Sequence, residues 1–369
     1  MKSILFFIPT LGGGGAERVL INLVNNLDRK KYKITVQTLF DGGVNRKHLN
    51  DDVEYRYCFK RLFRGNAKLF TFFTPKALYK LLIAKKYDIV VSYLEGPTAR
   101  IVSGCPYSES KLVNWVHVEQ SNMRNASYSY RSVKEAIKCM NRFDVSICVA
   151  ETVKRDFTKL FNIEHPCHVL YNTNEYDLIL AKAKEQMSDW MDSHIINVVS
   201  VGRLVSAKGY DRLVRVHKRL LDEGLLHHMY VLGEGEMRMY IEKEIADLNV
   251  YTTFHLLGFN ENPYKYVSRA DVFVCSSRRE GFSTAVTEAL LLGVPVVSTC
   301  CSGAQELLGN NNEYGIVVDN SEDGIFDGLC KMLSDSSLRE QYRNQSRVRA
   351  RYFSKENTVQ AVEQVLDAL

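Results

Sequence analysis

The chain has no long apolar run, no CxxC cysteine pair and no acidic DxD triplet, and each absence removes a class of protein. No window of the sequence approaches the roughly 18 consecutive apolar residues of a membrane-spanning helix. Near the amino terminus Lys2 precedes an apolar stretch, Ile4 to Ile8, that stops at Pro9. A secretory signal needs an apolar core of about 7 to 15 residues, so the expected location is the cytoplasm. The nine cysteines are scattered, odd in number and mostly set in apolar stretches such as Ser146-Ile147-Cys148-Val149. They read as buried thiols in a reducing compartment. His165, Cys167 and His168 have metal-ligating types without the second half of a zinc site. Asp51-Asp52, the one Asp-Asp pair, falls in a loop away from the strand ends, so no metal and no other cofactor is expected. Low-complexity tracts and proline-rich linkers are also missing, which excludes extended disorder.

What remains is an ordinary globular composition, 46% apolar and 25% charged, on 369 residues. That length exceeds what one hydrophobic core organises, so two domains of about 150 to 200 residues are expected. The net charge of +5 hides an asymmetry: residues 1–180 hold 27 Lys/Arg against 17 Asp/Glu, and the remainder 21 against 26. A basic half suits nucleic acid, anionic lipid, an acidic substrate or plain solvation. Nucleic acid is set aside because no aromatic-rich binding signature accompanies the charge.

Short apolar runs rich in β-branched residues alternate with amphipathic stretches, the pattern of βαβ units and parallel sheets. Strands are expected at residues 4–9, 33–40, 88–94, 112–116, 144–150 and 168–171, and again at 195–201, 228–232, 254–258, 271–276, 294–299 and 315–318. Both halves open with a strand, a glycine-bearing turn and a helix: Gly12 to Gly15 before residues 16–27, and Gly202 before residues 208–221. Residues 176–192, polar and rich in Lys and Glu, are the expected linker between domains at 1–175 and 193–350. Residues 351–369 form a closing amphipathic helix.

The densest chemistry lies at Arg279-Glu280-Gly281-Phe282-Ser283-Thr284, continuing to Glu288. A strand ends near Ser277, the next residues turn, Ser283 caps a helix, and Gly293 and Pro295 stop it. A helix amino terminus at the carboxyl edge of a parallel sheet presents backbone N–H groups to a phosphate. Gly202-Arg203-Leu204 followed by Lys208-Gly209 adds a close-approach glycine and two cations able to neutralise a diphosphate from two sides. The glycine run Gly12 to Gly15 does not complete a dinucleotide fingerprint, because Glu17 stands where its third glycine belongs.

Glu280 and Glu288, spaced as Glu-x7-Glu with Gly-Phe after the first, resemble the retaining glycosyltransferases of family four. The resemblance spans nearly the whole chain and is most specific over residues 198–306. It implies the GT-B architecture, α/β, with two doubly wound Rossmann-like domains facing across a cleft, and a last helix that crosses back to the first domain. It also implies transfer of a sugar, hexosyl in type and with retention, from a nucleoside diphosphate sugar to an acceptor hydroxyl. Family habit suggests a saccharide or lipid-linked saccharide acceptor in bacterial surface polysaccharide or glycoconjugate synthesis. By that likeness Glu280 acts near the reacting centre and Glu288 at the nucleotide ribose. Arg203, Lys208 and the amides of Ser283 and Thr284 serve the diphosphate, with Gly202, Gly281 and Phe282 in the turns around it. Gly233 and Phe259 match lesser landmarks of the nucleotide pocket, while Gly14 and Gly15 belong to the loop over the donor. His117, after a strand of the first domain, falls where the family often has a histidine near the sugar; a single histidine is as readily structural. With no second carboxylate motif, a front-face route without a metal is expected. Rivals are a nucleotide-sugar epimerase, a nicotinamide-dependent oxidoreductase, and a catalytically silent sugar-nucleotide-binding subunit.

The span from Lys60 to Lys86 holds Lys/Arg at 60, 61, 64, 68, 76, 80, 85 and 86, no acid, and the aromatics Phe63, Phe70, Phe72, Phe73 and Tyr79. It suits peripheral docking on the anionic inner face of a membrane. The alternative is an ordinary helix whose Leu78, Leu81 and Leu82 are buried and whose lysines are solvated.

Overall fold

Runs of β-branched and aromatic residues form thirteen strands among the described residues, all pairing in parallel. The computed structural model describes every residue except 64, 121, 187–190, 192 and 193, and not the side chains of 66 and 67. The chain divides into two units, Met1–Asn174 with Lys355–Leu369, and Glu175–Ser354.

The first unit contains β1 (Lys2–Ile8), β2 (Tyr32–Phe40), β3 (Glu54–Phe59), β4 (Ile89–Ser92), β5 (Lys111–Val116), β6 (Val145–Cys148) and β7 (Cys167–Val169), in the order β3-β2-β1-β4-β5-β6-β7. The second contains β8 (Ile196–Val201), β9 (His227–Leu232), β10 (Phe254–Gly258), β11 (Val272–Cys275), β12 (Val296–Thr299) and β13 (Ile316–Val318), in the order β10-β9-β8-β11-β12-β13. Each sheet winds outward from its first strand and then reverses, so β1/β4 and β8/β11 are topological switch points. Ligands of such sheets sit outside the carboxyl ends of the strands at that point.

Because helices cover both faces, the central strands are apolar throughout rather than alternating. Ile4 to Ile8 are all fully buried, as are Val198, Val199, Val272 and Val274. Each such side chain contributes about 1.5–3 kcal/mol of burial.

Four features differ from the sequence-based expectation. Strand β3 was not expected, because it is an edge strand whose residues are only partly buried and so carry no continuous apolar run. The helix expected from residue 208 begins at Tyr210, and Lys208 instead closes a 3-10 turn, Ser206–Lys208. Residues 176–192, expected as linker, begin with a helix, Tyr176–Ala183, whose Ile179 packs with Tyr264, Leu291 and Ala350 of the second unit; residues 187–190 and 192 lie outside the described residues. In the helix Pro75–Leu82 the buried residues are Leu78 and Tyr79, whereas Leu81 is 69% exposed.

The closing helix Lys355–Asp367 belongs to the first unit. Lys2 Nζ donates to the carbonyls of Leu366 and Asp367 at 3.0 Å each, and Lys31 pairs with Asp367 at 2.8 Å. All nine cysteines are free thiols, and Cys300 is exposed rather than buried. Among the described residues no helix is long and apolar enough to cross a membrane.

Candidate active site

At the second unit's switch point, glycine draws the loop after β8 against those after β11 and β9. A side chain at Gly209 (φ +69°) would stand 2.3 Å from the Ser276 carbonyl oxygen, and one at Gly233 (φ +149°) would stand 1.9 Å from that of Gly202. This close approach brings Lys208 Nζ to 2.5 Å from Glu280 Oε1, with only 24% and 13% of the two side chains exposed. Ser277 Oγ donates to the same carboxylate oxygen at 2.6 Å, and Ser276 Oγ donates to the Lys208 carbonyl at 2.9 Å. Burial by itself disfavours the Lys208 ammonium, but the Glu280 carboxylate outweighs it and the Lys208 pKa is raised. Arg203 is exposed, and its charge reaches Lys208 and opposes that rise.

The frame behind these groups is a buried cation that sequence reasoning missed. Arg212 donates to the Ser276 carbonyl at 3.0 and 2.7 Å, to that of Ser277 at 2.9 Å, and to the Asn320 side chain at 2.7 Å. Thr299 Oγ1 adds a further bond to the Ser277 carbonyl at 2.6 Å. Nearby, Arg278 grips Asp211 with two bonds of 2.7 Å. Burial pushes the Asp211 carboxyl up, but Arg278 pulls harder and holds it at about 2.

Ser283 caps the helix Thr284–Leu291, its Oγ accepting from the Val286 amide at 3.4 Å. Gly281 and Phe282 are buried, and the Phe282 ring packs edge-on against Phe353 at 5.7 Å, which anchors the turn. Lys208, Ser276, Ser277, Glu280 and Ser283 line one small pocket. Glu288, in the helix's second turn, accepts from the Tyr264 hydroxyl at 3.0 Å. Phe259, just after β10, is 59% exposed. Of the residues singled out from the sequence, Lys208, Glu280 and Ser283 are thus brought together, Gly202 lies beside the Lys208 side chain, and Glu288 and Phe259 do not line that pocket.

Gly14, Gly15 and His117 lie in the first unit. Gly14 caps the helix Gly15–Asn26, and a side chain there would meet the Glu17 carboxylate at 2.3 Å. The loop is tied by the Asn45 side chain, which donates to the Gly12 carbonyl. His117 follows β5, is 7% exposed, lies parallel to the Trp115 ring and packs at a tilt against Tyr93. Burial lowers its pKa to about 3, so the ring is neutral. Glu95 accepts from the amides of His117 and Val118, the latter at 2.7 Å, while burial nevertheless raises its carboxyl. The Tyr93 hydroxyl, Trp115 Nε1 and His117 Nε2 are buried without a hydrogen-bond partner among the described residues. An acid three residues after β4 at a switch point was the available signal for Glu95; Arg212 had none, because in the first turn of its helix it reads as one of several solvated basic residues.

Residues 13–173 match the family model described as Glycosyltransferase Family 4, and residues 192–349 that of Glycosyl transferases group 1. The chain is 37% identical to the N-acetylgalactosamine-N,N'-diacetylbacillosaminyl-diphospho-undecaprenol 4-alpha-N-acetylgalactosaminyltransferase of Campylobacter jejuni, across 96% of each chain. It belongs to the GT-B glycosyltransferases. To another such glycosyltransferase, LpsE of lipopolysaccharide core biosynthesis in Rhizobium meliloti, identity is 24% over 88% of this chain and 87% of that one. The GT-B fold is seen directly in HepE of Anabaena, solved with UDP and glucose, which matches at a TM-score of 0.79 and 17% identity over 100% of both chains.

Proposed function

We propose that this glycosyltransferase transfers a sugar, with retention, from a nucleoside diphosphate sugar to a hydroxyl of a lipid-linked saccharide. The observation that carries the reading is the pocket at the β8/β11 switch point, where Lys208, Glu280 and the Ser283-capped helix meet beside Arg203. Arg203, Lys208 and the amides at Ser283 and Thr284 neutralise the diphosphate as the bond from the anomeric carbon to its oxygen breaks. The acceptor oxygen attacks from the same face, and its proton passes to the departing diphosphate. Glu280 contacts the sugar, Glu288 the ribose, and no resident metal or cofactor takes part. The Campylobacter relative's name makes N-acetylgalactosamine the first sugar to test and a diphospho-undecaprenol-linked saccharide the first acceptor, with UDP as the first nucleotide because HepE binds it.

The test is transfer from UDP-N-acetylgalactosamine to that acceptor, with the product's anomeric configuration read by NMR. Glu280→Gln is expected to abolish transfer while keeping UDP binding, Glu288→Ala to weaken UDP binding, and Lys208→Ala and Arg203→Ala each to lower turnover about tenfold or more. Activity is expected to survive EDTA. An inverted product, strict dependence on a divalent ion, or UDP binding without turnover on any donor of a panel would overturn the scheme.

An anionic membrane surface is the proposed meeting place. Leu62, Leu69, Phe72, Phe73 and Leu81 are exposed among Lys60, Arg61, Lys68, Lys76 and Lys80, which supports docking; Arg64 lies outside the described residues. Each basic residue contributes about 1 kcal/mol near an anionic leaflet. Co-sedimentation with anionic vesicles is expected to be lost in high salt and on changing Lys60, Arg61, Arg64 and Lys68 to Gln. Equal binding to neutral vesicles, or none to either, would reject it.

A further inference from the structure

We infer that Ser277 is a positioning residue: with Lys208 it anchors one oxygen of Glu280 and leaves the other for the substrate. This rests on the reading of Glu280 as the acid at the reacting centre. Ser277 Oγ and Lys208 Nζ, at 2.6 and 2.5 Å, both reach Oε1. Oε2 makes no hydrogen bond among the described residues. Two donors on one oxygen fix the rotation of a loop carboxylate that would otherwise turn freely, and hydrogen bonds to an ionised acceptor are the strong ones.

The two donors are not equivalent. The Lys208 ammonium is shared once a diphosphate arrives, because it is drawn to that charge as well. A neutral hydroxyl has no such competition, so Ser277 is the donor that keeps Glu280 aligned through bond breaking. The backbone that carries it is held firmly. Ser276 and Ser277 are 1% and 2% exposed, and their carbonyls are bound by Arg212, Thr299 and Cys301. Ser276 Oγ at the same corner holds the Lys208 carbonyl. One dipeptide thereby sets the acid directly and the cation through its main chain. A misplacement of about 1 Å at a reacting group costs on the order of 100-fold in rate.

The experiment compares Ser277→Ala, Ser277→Thr and Ser277→Cys in the full chain. It measures kcat and KM for UDP-N-acetylgalactosamine, or for UDP-glucose if that donor is the faster, UDP affinity by calorimetry, and the melting temperature. For Ser277→Ala the expected result is a fall in kcat of about 10- to 100-fold, with KM and UDP affinity within about threefold and melting little changed. Ser277→Thr, which keeps the hydroxyl, restores turnover, and Ser277→Cys, a weak donor of similar size, falls between. In a Glu280→Gln background, Ser277→Ala adds no further loss. Normal turnover in Ser277→Ala and Ser277→Cys, or a loss confined to KM and UDP affinity, overturns the assignment. The Glu280 reading fails separately: it falls if Glu280→Gln retains transfer, whereas an inactive Glu280→Gln beside a normal Ser277→Ala removes only the role of Ser277.

Discussion

The two units wind in the same order but finish their switch points in opposite ways. In the second, the cation and the Ser277 hydroxyl are bonded to the acid, the Ser276 hydroxyl holds the Lys208 carbonyl, and Arg212 backs both serines. In the first, Glu95 is spent on the backbone after β5, and Tyr93, Trp115 and His117 keep buried polar atoms without partners among the described residues. An orphaned buried donor or acceptor costs about 1–3 kcal/mol, whereas a paired one does not. Topology therefore says where a ligand goes, and hydrogen-bond satisfaction says how far the site is organised beforehand. The second unit is preorganised around charge; the first stands to gain from a hydrogen-bonding ligand.

The comparison breaks most sharply at Arg212. Arg212→Ala leaves the carbonyls of Ser276 and Ser277 short of their buried donor, and a loss of about 3–5 kcal/mol is expected in urea unfolding. A loss below about 1 kcal/mol would mean that the second unit's site is not held from behind. The glycines give the next largest contrast. At Gly233 a methyl group meets backbone at positive φ, so Gly233→Ala is expected to cost about 1–3 kcal/mol and weaken UDP binding. At Gly14 it meets only the movable end of Glu17, so Gly14→Ala should cost under about 1 kcal/mol. Equal losses at the two positions would erase the distinction.

Acid sharpens the comparison with a smaller effect per residue. Burial lowers the pKa of His117 to about 3 in the first unit and that of His217 to about 2 in the second. His217 Nδ1 faces His227 Nε2 at 2.8 Å, and charge on His227, His228 or His255 would lower its pKa further. The unfolded histidines take up protons near pH 6.5 and the folded ones do not, so this stability is present above pH 6.5 and falls as pH drops toward 3 or 2. The slope is at most about 1.4 kcal/mol per pH unit for each histidine. His117→Gln and His217→Gln should each flatten the dependence of the urea midpoint on pH between 7 and 5; an unchanged slope would show that the ring is already protonated when folded. Tyr93→Phe carries the smallest effect: removing an orphaned hydroxyl is expected to leave stability unchanged or raise it by up to about 1 kcal/mol. A loss instead would reveal a partner for that hydroxyl.

Much of this was legible in advance because the signals are local. Periodicity marked twelve of the strands, and serine and glycine punctuation marked the Ser283 cap and the turns at Gly202 and Gly209. Edge strand β3 escaped, since half-buried edges need no apolar run. The alternative reading of residues 60–86 turned Leu81 inward on helical spacing, but only neighbouring elements decide which face of a short helix is covered.

By itself the sequence determined two doubly wound α/β units and the acids, cations and capped helix start gathered along the second of them, because those patterns repeat within a few residues of chain. The tertiary structure alone decided that Lys208 meets Glu280 across 72 positions and that Arg212 reaches Ser276 across 64. It also decided that Ser277 touches the acid and that the Tyr93 hydroxyl, Trp115 Nε1 and His117 Nε2 stay unpaired among the described residues. Long-range hydrogen bonds depend on which loops a parallel sheet brings to one edge, and no local pattern of residues encodes that distance.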